Sequence, residues 1–555
     1  MGKILELVEK VNVAVNGVVW GWPMIILILG TGILLTLRTK FLQVRKFGAA
    51  WNETIISTVK DMGKKKEKTV GGGLEKKNAI SPFEAFATAI SGTVGTGNII
   101  GVTSAIMTGG PGAVFWMWVS AFFGMVTNYA ENVLGVYFRK KDENGEYSGG
   151  PMYYLSEGLG KNASGKAGAF WKTFGKILGV AAAVFCAFAA IGMSGVQTNK
   201  ISDTFQSVFS GANDTAVGVV VGVILAIILA LIILGGIKSI GRVASILVPF
   251  MSIIFIVVAL VVILTNITSV GVAFGLIFKN IVSLPAVAGG VGGFVISEFA
   301  RVIQKGLARG VFSNEAGLGS SVIAYSASDD PEPVKQGLWG VFGVFFDTFI
   351  ICTLTAIVVL VSTDTSTIYA TDASGALIYT DTQISMGAFA TFIPSVAAVG
   401  RTIYAVAVPL FAFTTILAWA YYGEKCVDFL FIKTGKKGRK IATMTFKIAY
   451  VLLVVVSALI DGELAWSIAD TFNGLMALPN LIGLVLMSGL VVKITKNYFA
   501  RKKGENVLPM LSAYEEQNEE FMSDILSEDG ATATPSGTEE TTAQAGEMQD
   551  DGAKE

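Results

Sequence analysis

Residues 92–101 read Gly-Thr-Val-Gly-Thr-Gly-Asn-Ile-Ile-Gly, which puts four glycines, two threonines and an asparagine inside an apolar stretch. Glycine weakens a helix, and backbone polar groups left open in hydrocarbon cost several kcal/mol each. A broken helix survives at membrane depth only where its freed groups are covered by protein or line a watery cavity. There, half-helix N-termini offer N–H groups to anions, while half-helix C-termini and unwound carbonyls offer oxygens to cations. Gly95 and Gly97 let a ligand approach the backbone closely, and Thr96 and Asn98 add hydroxyl and amide groups. This mixture of donors and acceptors suits a zwitterionic amino acid bound beside Na⁺. Close helix packing would account for the glycines but not for Asn98.

Further polar residues interrupt other apolar runs. A second break, Ser-Asn-Glu-Ala-Gly-Leu-Gly-Ser-Ser at 313–321, holds Asn314 and Glu315, with Arg309 and Arg301 as candidate partners for the acid. Gln197 sits in an apolar helix, where either a ligand contact or an interhelical hydrogen bond explains it. Thr415 and Trp419 lie four residues apart on one helix face, a hydroxyl for a cation and an indole to close a small cavity. Glu131, Glu298 and Asp347 are further intramembrane acids, read as structural partners of Arg or backbone groups or as a proton relay.

The chain has no histidine, which removes the usual titrating side chain and the commonest metal ligand. Cys186, Cys352 and Cys426 lack metal-ligand spacing and read as small membrane-helix residues. The 92–101 run lacks the lysine that a phosphate-binding loop requires. No constellation for an enzyme or for nucleic-acid binding emerges.

These residues need a membrane scaffold. Of 555 residues, 52% are hydrophobic and 15% charged, and the mean hydropathy is +0.61. Apolar runs at 178–195, 216–237, 243–265, 338–362, 403–423, 441–460 and 474–492 are each long enough for a membrane helix. The expectation is an all-α membrane protein of about eleven helices. One leads at 18–38, where no small-residue cleavage site marks a signal peptide. Five follow at 84–107, 111–138, 174–205, 215–236 and 240–265, and five more at 284–327, 335–362, 396–431, 441–460 and 464–493. Both groups begin with an interrupted helix, the mark of a five-plus-five inverted repeat. The expected parts are an N-terminal helix and basic loop at 1–83, repeats at 84–265 and 266–499, and a tail at 500–555. Residues 505–555 hold 14 acidic and one basic residue and are expected to be disordered. Basic residues at 38–46, 64–66, 139–176, 433–447 and 493–503, with none at 336–400, place the N-terminus outside and the C-terminus in the cytoplasm.

Gly-Gly-Pro-Gly-Ala-Val-Phe-Trp-Met-Trp-Val from Gly109, with Ser-Ala-Phe-Phe-Gly after it, resembles the signature of the alanine or glycine:cation symporter family. The runs at 92–98, 312–319 and 419–424 resemble that family too, and the likeness covers about 1–500. It implies a LeuT-like fold and Na⁺-driven uptake of a small neutral amino acid, alanine or glycine, at the cell membrane. Proton coupling is the alternative and a channel the remoter one. It also implies substrate contacts from Gly97, Asn98, Gln197 and Trp419. The expected substrate set is then Gly95, Thr96, Gly97, Asn98, Gln197, Asn314, Thr415 and Trp419, and the Na⁺ set Val94, Gly97, Thr414 and Thr415. The expected working unit is a monomer. Asn128 stands where family members often carry lysine.

Overall fold

Helices dominate the chain because its apolar runs can satisfy their backbone groups in lipid only internally. The computed structural model describes residues 2–63, 79–141, 145–161, 164–209, 211–281, 293–391, 397–460 and 462–528. Two leading helices, α1 (Gly2–Val19) and α2 (Trp22–Arg38), precede short helical turns across 42–63. The first group of five then contains α3 (Pro82–Thr93), α4 (Ile100–Gly109), α5 (Ala113–Tyr137), α6 (Pro151–Gly158), α7 (Gly165–Val208), α8 (Asp214–Ile233) and α9 (Gly236–Thr265). A connecting helix, α10 (Ile267–Lys279), leads towards the second group. That group comprises α11 (Gly293–Asn314), α12 (Val322–Tyr325), α13 (Pro333–Val344) and α14 (Thr353–Ser362), then α15 (Asp381–Ala390), α16 (Ala397–Leu430), α17 (Gly435–Ser457) and α18 (Gly462–Arg501). Helix α19 (Glu515–Glu528) follows.

Among the described residues, nine helices are long and apolar enough to cross a membrane. The broken pair α3–α4 and the cationic α11 complete the expected eleven, the first interrupted by its glycines and the second carrying Arg301, Lys305 and Arg309. The second group mirrors the first in its packing. Helix α5 packs extensively on α13, α7 on α16 and α8 on α17, so corresponding members of the two groups meet. Helices α4, α5, α11 and α13 pack on one another, as do α7, α8, α16 and α17, while α3 packs mainly on α9 and α16 and, less extensively, on α12 and α13.

Local chemistry sets the ends. Ser81 opens α3 by accepting the Glu84 N–H at 3.2 Å, and the Glu84 carboxylate accepts the Ser81 N–H at 2.9 Å, with Pro82 in the first turn. Thr380 and Gln383 cap α15 in the same way. Residues 345–352 form a π-helical segment that joins α13 to α14 and carries Asp347 into the core.

Several expectations change. Helices α10 and α15 add to the expected set, being shorter than a membrane span and lying outside the long apolar runs. Helices α7 and α18 run beyond their apolar centres, to 165 and 501. The expected disorder from 500 onward is corrected for residues up to 528. Phe521 and Leu511 are buried with Tyr147, and the Arg139 guanidinium lies 4.0 Å from the Tyr147 ring centre and 5.6 Å from that of Phe521. The Ala513 N–H donates to the Tyr137 carbonyl at 2.8 Å, and Asn518 Oδ1 accepts the Leu511 and Ser512 N–H groups at 2.9 and 3.1 Å. An acidic segment is held here by a few apolar and amide contacts that its composition conceals. The Lys64–Lys66 run, the start of the 284–327 element and residues 529–555 lie outside the described residues.

Truncating Phe521 removes the aromatic anchor of α19, a class of change that costs about 3–5 kcal/mol at a buried site. Phe521→Ala is therefore expected to raise amide hydrogen exchange across 515–528 well over tenfold and leave exchange in α7 unchanged. Equal protection of α19 in both proteins would show that the anchor is elsewhere.

Candidate ligand-binding site

The helical ladder of α3 closes with the Val94 N–H on the Ile90 carbonyl at 2.7 Å, and the chain then extends through Gly95 before a single 3₁₀ turn over Thr96–Asn98. Gly95 is extended, not left-handed, so its lack of a side chain serves close approach. A Cβ there would stand 2.4 Å from Thr415 Oγ1 and 3.2 Å from Gln197 Oε1. Asn98 steadies the turn, its Oδ1 accepting the Gly95 N–H at 3.0 Å. Gln197 Oε1, from α7, accepts both the Thr96 N–H at 3.1 Å and the Thr96 hydroxyl at 2.9 Å. From α16, the Thr415 hydroxyl donates to the Ser91 carbonyl at 2.9 Å.

The second break is held differently. The α11 ladder ends as the Glu315 N–H bonds the Val311 carbonyl at 2.8 Å, with Glu315 in the left-handed region at φ 56°. Gly317, at φ 92°, then turns the chain, a conformation that L side chains rarely adopt. Its N–H reaches Glu131 Oε1 at 3.0 Å, and Asn480 Nδ2 donates to that same oxygen at 2.6 Å and to the Gly317 carbonyl at 2.8 Å. Asn314 Oδ1 accepts the Ala316 N–H at 3.0 Å while its Nδ2 donates to Thr348 Oγ1 at 3.1 Å.

One carboxylate joins the two breaks. Asp347 Oδ1 accepts from Asn98 Nδ2 at 2.6 Å, and its Oδ2 accepts from Ser313 Oγ at 2.7 Å and Thr348 Oγ1 at 2.8 Å. The Cys352 thiol lies within 3.4 Å of Asn98 Nδ2 and 3.1 Å of Ser313 Oγ. Asp347, Asn98, Ser313 and Cys352 are all buried.

Most of the expected set converges. Gly95, Thr96, Asn98, Gln197 and Thr415 surround the first break, with Val94 at its edge. Gly97 faces the Phe312 ring, 3.3 Å from where its Cβ would be. Asn314 serves the second break, one residue from the Ser313 link. Trp419 is fully buried, stacked edge-on against Tyr422 with ring centres 5.4 Å apart, and it lies beside Glu315. Thr414 turns away: its hydroxyl contacts the Phe411 carbonyl and Met251 of α9, because adjacent helical residues point about 100° apart. Glu315 does not pair with arginine either. Its Oε2 accepts from Ser320 Oγ at 2.6 Å, whereas Arg309 approaches Asp470 at 3.8 Å and Trp466 at 4.4 Å, and Arg301 donates to the Thr108 carbonyl. Ser313, Asp347 and Cys352 join the site from outside the expected set. The available signal was an Asp among phenylalanines in an apolar helix.

Comparison with known proteins gives the family and the fold. A sequence model of the family described as the sodium:alanine symporter family matches residues 5–511. The sodium/alanine symporter AgcS of Methanococcus maripaludis is 42% identical over 502 residues, which span 90% of this chain and 99% of that one. The amino-acid carrier protein AlsT of Bacillus subtilis is 35% identical over 497 residues, spanning 89% of this chain and 93% of that one. The substrate-bound outward-open structure of a Na⁺-coupled sialic acid symporter matches with a TM-score of 0.50 at 13% identity, over 91% of this chain and 97% of that one. That likeness concerns the fold alone, and the fold is the LeuT-like one.

Removing the bridging carboxylate leaves buried donors on both breaks without an acceptor, at about 1–3 kcal/mol each. Asp347→Ala is expected to lower the thermal unfolding midpoint of the detergent-purified protein by several degrees. Gly30→Ala, at a position with open space around it, should leave it unchanged. Equal midpoints for Asp347→Ala and the parent would refute the linking role.

Proposed function

The chain belongs to the sodium:alanine symporter family, and from that membership we propose that it couples entry of Na⁺ to uptake of a small neutral amino acid, alanine or glycine, by alternating access. The observation that carries the reading is where the polar contacts of the first break fall. Thr96–Gln197 and Ser91–Thr415 both tie the first break to the scaffold of α7 and α16.

A substrate carboxylate is chemically equivalent to Gln197 Oε1 as an acceptor for the Thr96 N–H and hydroxyl. It would replace that oxygen and leave the Gln197 amide free to donate. The substrate ammonium group would meet carbonyls of the unwound segment, and its short side chain would face Phe312 and Trp419, which limits its size. Na⁺ would sit between Thr415 Oγ1 and the Ser91 carbonyl, the hydroxyl keeping its proton and turning it to the Phe411 carbonyl 3.0 Å away, with the Val94 region as further oxygen donors. Gly95 keeps both ligands close to backbone. Rocking of the broken-helix group against the α7–α16 scaffold would then open the site alternately to each side.

The orientation proposed is N-terminus outside and C-terminus cytoplasmic, from the basic segments at 38–46, 433–447 and 493–503.

In proteoliposomes, an inward Na⁺ gradient is expected to drive labelled alanine or glycine above its external concentration. Gln197→Ala and Gly95→Ala should each lower the rate at least tenfold, and Thr415→Ala should raise the Na⁺ concentration needed for half-maximal uptake. Uptake driven by a proton gradient alone would replace Na⁺ as the coupled ion. No uptake under either gradient would overturn the reading.

A further inference from the structure

Away from the central site, the end of α2 and the last turns of α18 enclose a cavity of about 420 Å³. This lies within the range of about 300–1,000 Å³ common for small-molecule sites. Arg38, Lys40, Arg45, Lys46, Lys496 and Lys503 line it, against one carboxylate, Glu505. Arg38 donates to Ser488 Oγ at 2.5 Å, Arg45 to the Lys40 carbonyl at 3.2 Å, and Lys46 rests 4.2 Å from the Phe499 ring centre. Among the described residues none of the six is paired with a carboxylate. Six cations around one cavity repel one another, and an anion between them relieves that repulsion.

The rest of the lining is apolar: Leu42, Val492, Phe499 and Ala500. The apolar surface continues outward, with Leu37, Phe41, Val44 and Trp51 each more than 40% exposed. Arg38 ends an apolar helix, so this rim sits where hydrocarbon gives way to headgroups. An occupant must therefore offer an anionic head and apolar length together. We propose that the cavity binds the phosphate headgroup of an anionic phospholipid whose acyl chains run along the exposed face of α2 and residues 41–51. The acidic residues of 529–555 match the charge but not the rim, since Met548 is the one large apolar side chain there.

The probe is native mass spectrometry of the full chain after exposure to vesicles of phosphatidylglycerol and phosphatidylcholine in equal amounts. The wild type is expected to retain phosphatidylglycerol preferentially. Lys496→Gln with Lys503→Gln should cut that preference about 25-fold, since a cation near an anionic headgroup contributes about 1 kcal/mol, or roughly fivefold. Lys40→Gln with Arg45→Gln gives an independent pair should the first fail to fold, and an unchanged unfolding midpoint in lipid-free detergent establishes folding for either. Equal retention of the two lipids by the wild type, or undiminished preference in a folded variant, would overturn the proposal. Displacement of the lipid by equimolar soluble glycerol 3-phosphate would reduce the site to a free-phosphate site. A several-fold rise in retention on truncation after residue 528 would make the chain's own tail the occupant.

Discussion

The carboxylate of Asp347 is the contact on which the broken helices depend. Interrupting two membrane helices frees backbone and side-chain donors in the middle of an apolar protein, and a buried donor without an acceptor is expensive. Asp347 answers both breaks at once, through Asn98 on one side and Ser313 on the other. Glu131 does the same for the Gly317 turn, together with Asn480. The acids rare in membrane helices are therefore clamps that allow the irregular backbone to exist. The π-helical stretch at 345–352 belongs to the same arrangement, since local irregularities of this kind recur at functional sites.

The clamps differ in kind from the contacts of the first break with α7 and α16. The acceptors that link the breaks to other elements of the broken-helix group are carboxylates, Asp347 taking three bonds and Glu131 two on Oε1. Across to α7 and α16 the partners are neutral: an amide oxygen on Thr96, and a hydroxyl on the Ser91 carbonyl. Bonds to a carboxylate are roughly twice as strong as neutral ones when it is ionised. Under the proposed mechanism a small ligand would replace the neutral set and leave the clamps in place. Gly95 lies where the two sets approach, and a Cβ there would stand 2.4 Å from Thr415 Oγ1 and 3.2 Å from Gln197 Oε1.

Much of this was legible in the sequence, because breaking a membrane helix costs so much that glycines and amides at its centre demand an explanation. The two breaks, Gln197, Thr415 and the count of helices followed from that reasoning and from hydropathy. Asp347 did not, because an acid in an apolar run announces a partner without naming it, and its partners lie 249 and 34 residues away. Proximity in sequence pointed to Arg309 and Arg301 for Glu315. The fold instead turns Glu315 to Ser320 and sends Arg309 to Asp470, since φ 56° at Glu315 reverses the chain away from the preceding helix. For Na⁺ the sequence offered Thr414 and Thr415 together, and the position of α16 turns Thr415 to the Ser91 carbonyl of α3 and Thr414 to Met251. Helix α19 was hidden for another reason: two apolar side chains anchor it, too few to stand out in an acidic segment.

The weakness of the neutral set bears on why a carrier of the proposed kind would need two ligands. Shifting a two-state equilibrium from 1:99 to 99:1 requires about 5.5 kcal/mol of differential binding. A neutral hydrogen bond contributes about 0.5–1.5 kcal/mol net, so an uncharged group bound at Thr96 or at Ser91 would fall short. A carboxylate and a cation placed on adjacent turns of one strand of backbone bring charge to both junctions and attract each other through poorly screening surroundings. Each then raises the occupancy of the arrangement the other requires, and by linkage the effect is reciprocal. Under the proposed mechanism, Gly95, lying between Thr96 and the Thr415 hydroxyl, would let the two charges meet, and the same glycine that weakens the helix would couple the ion to the solute.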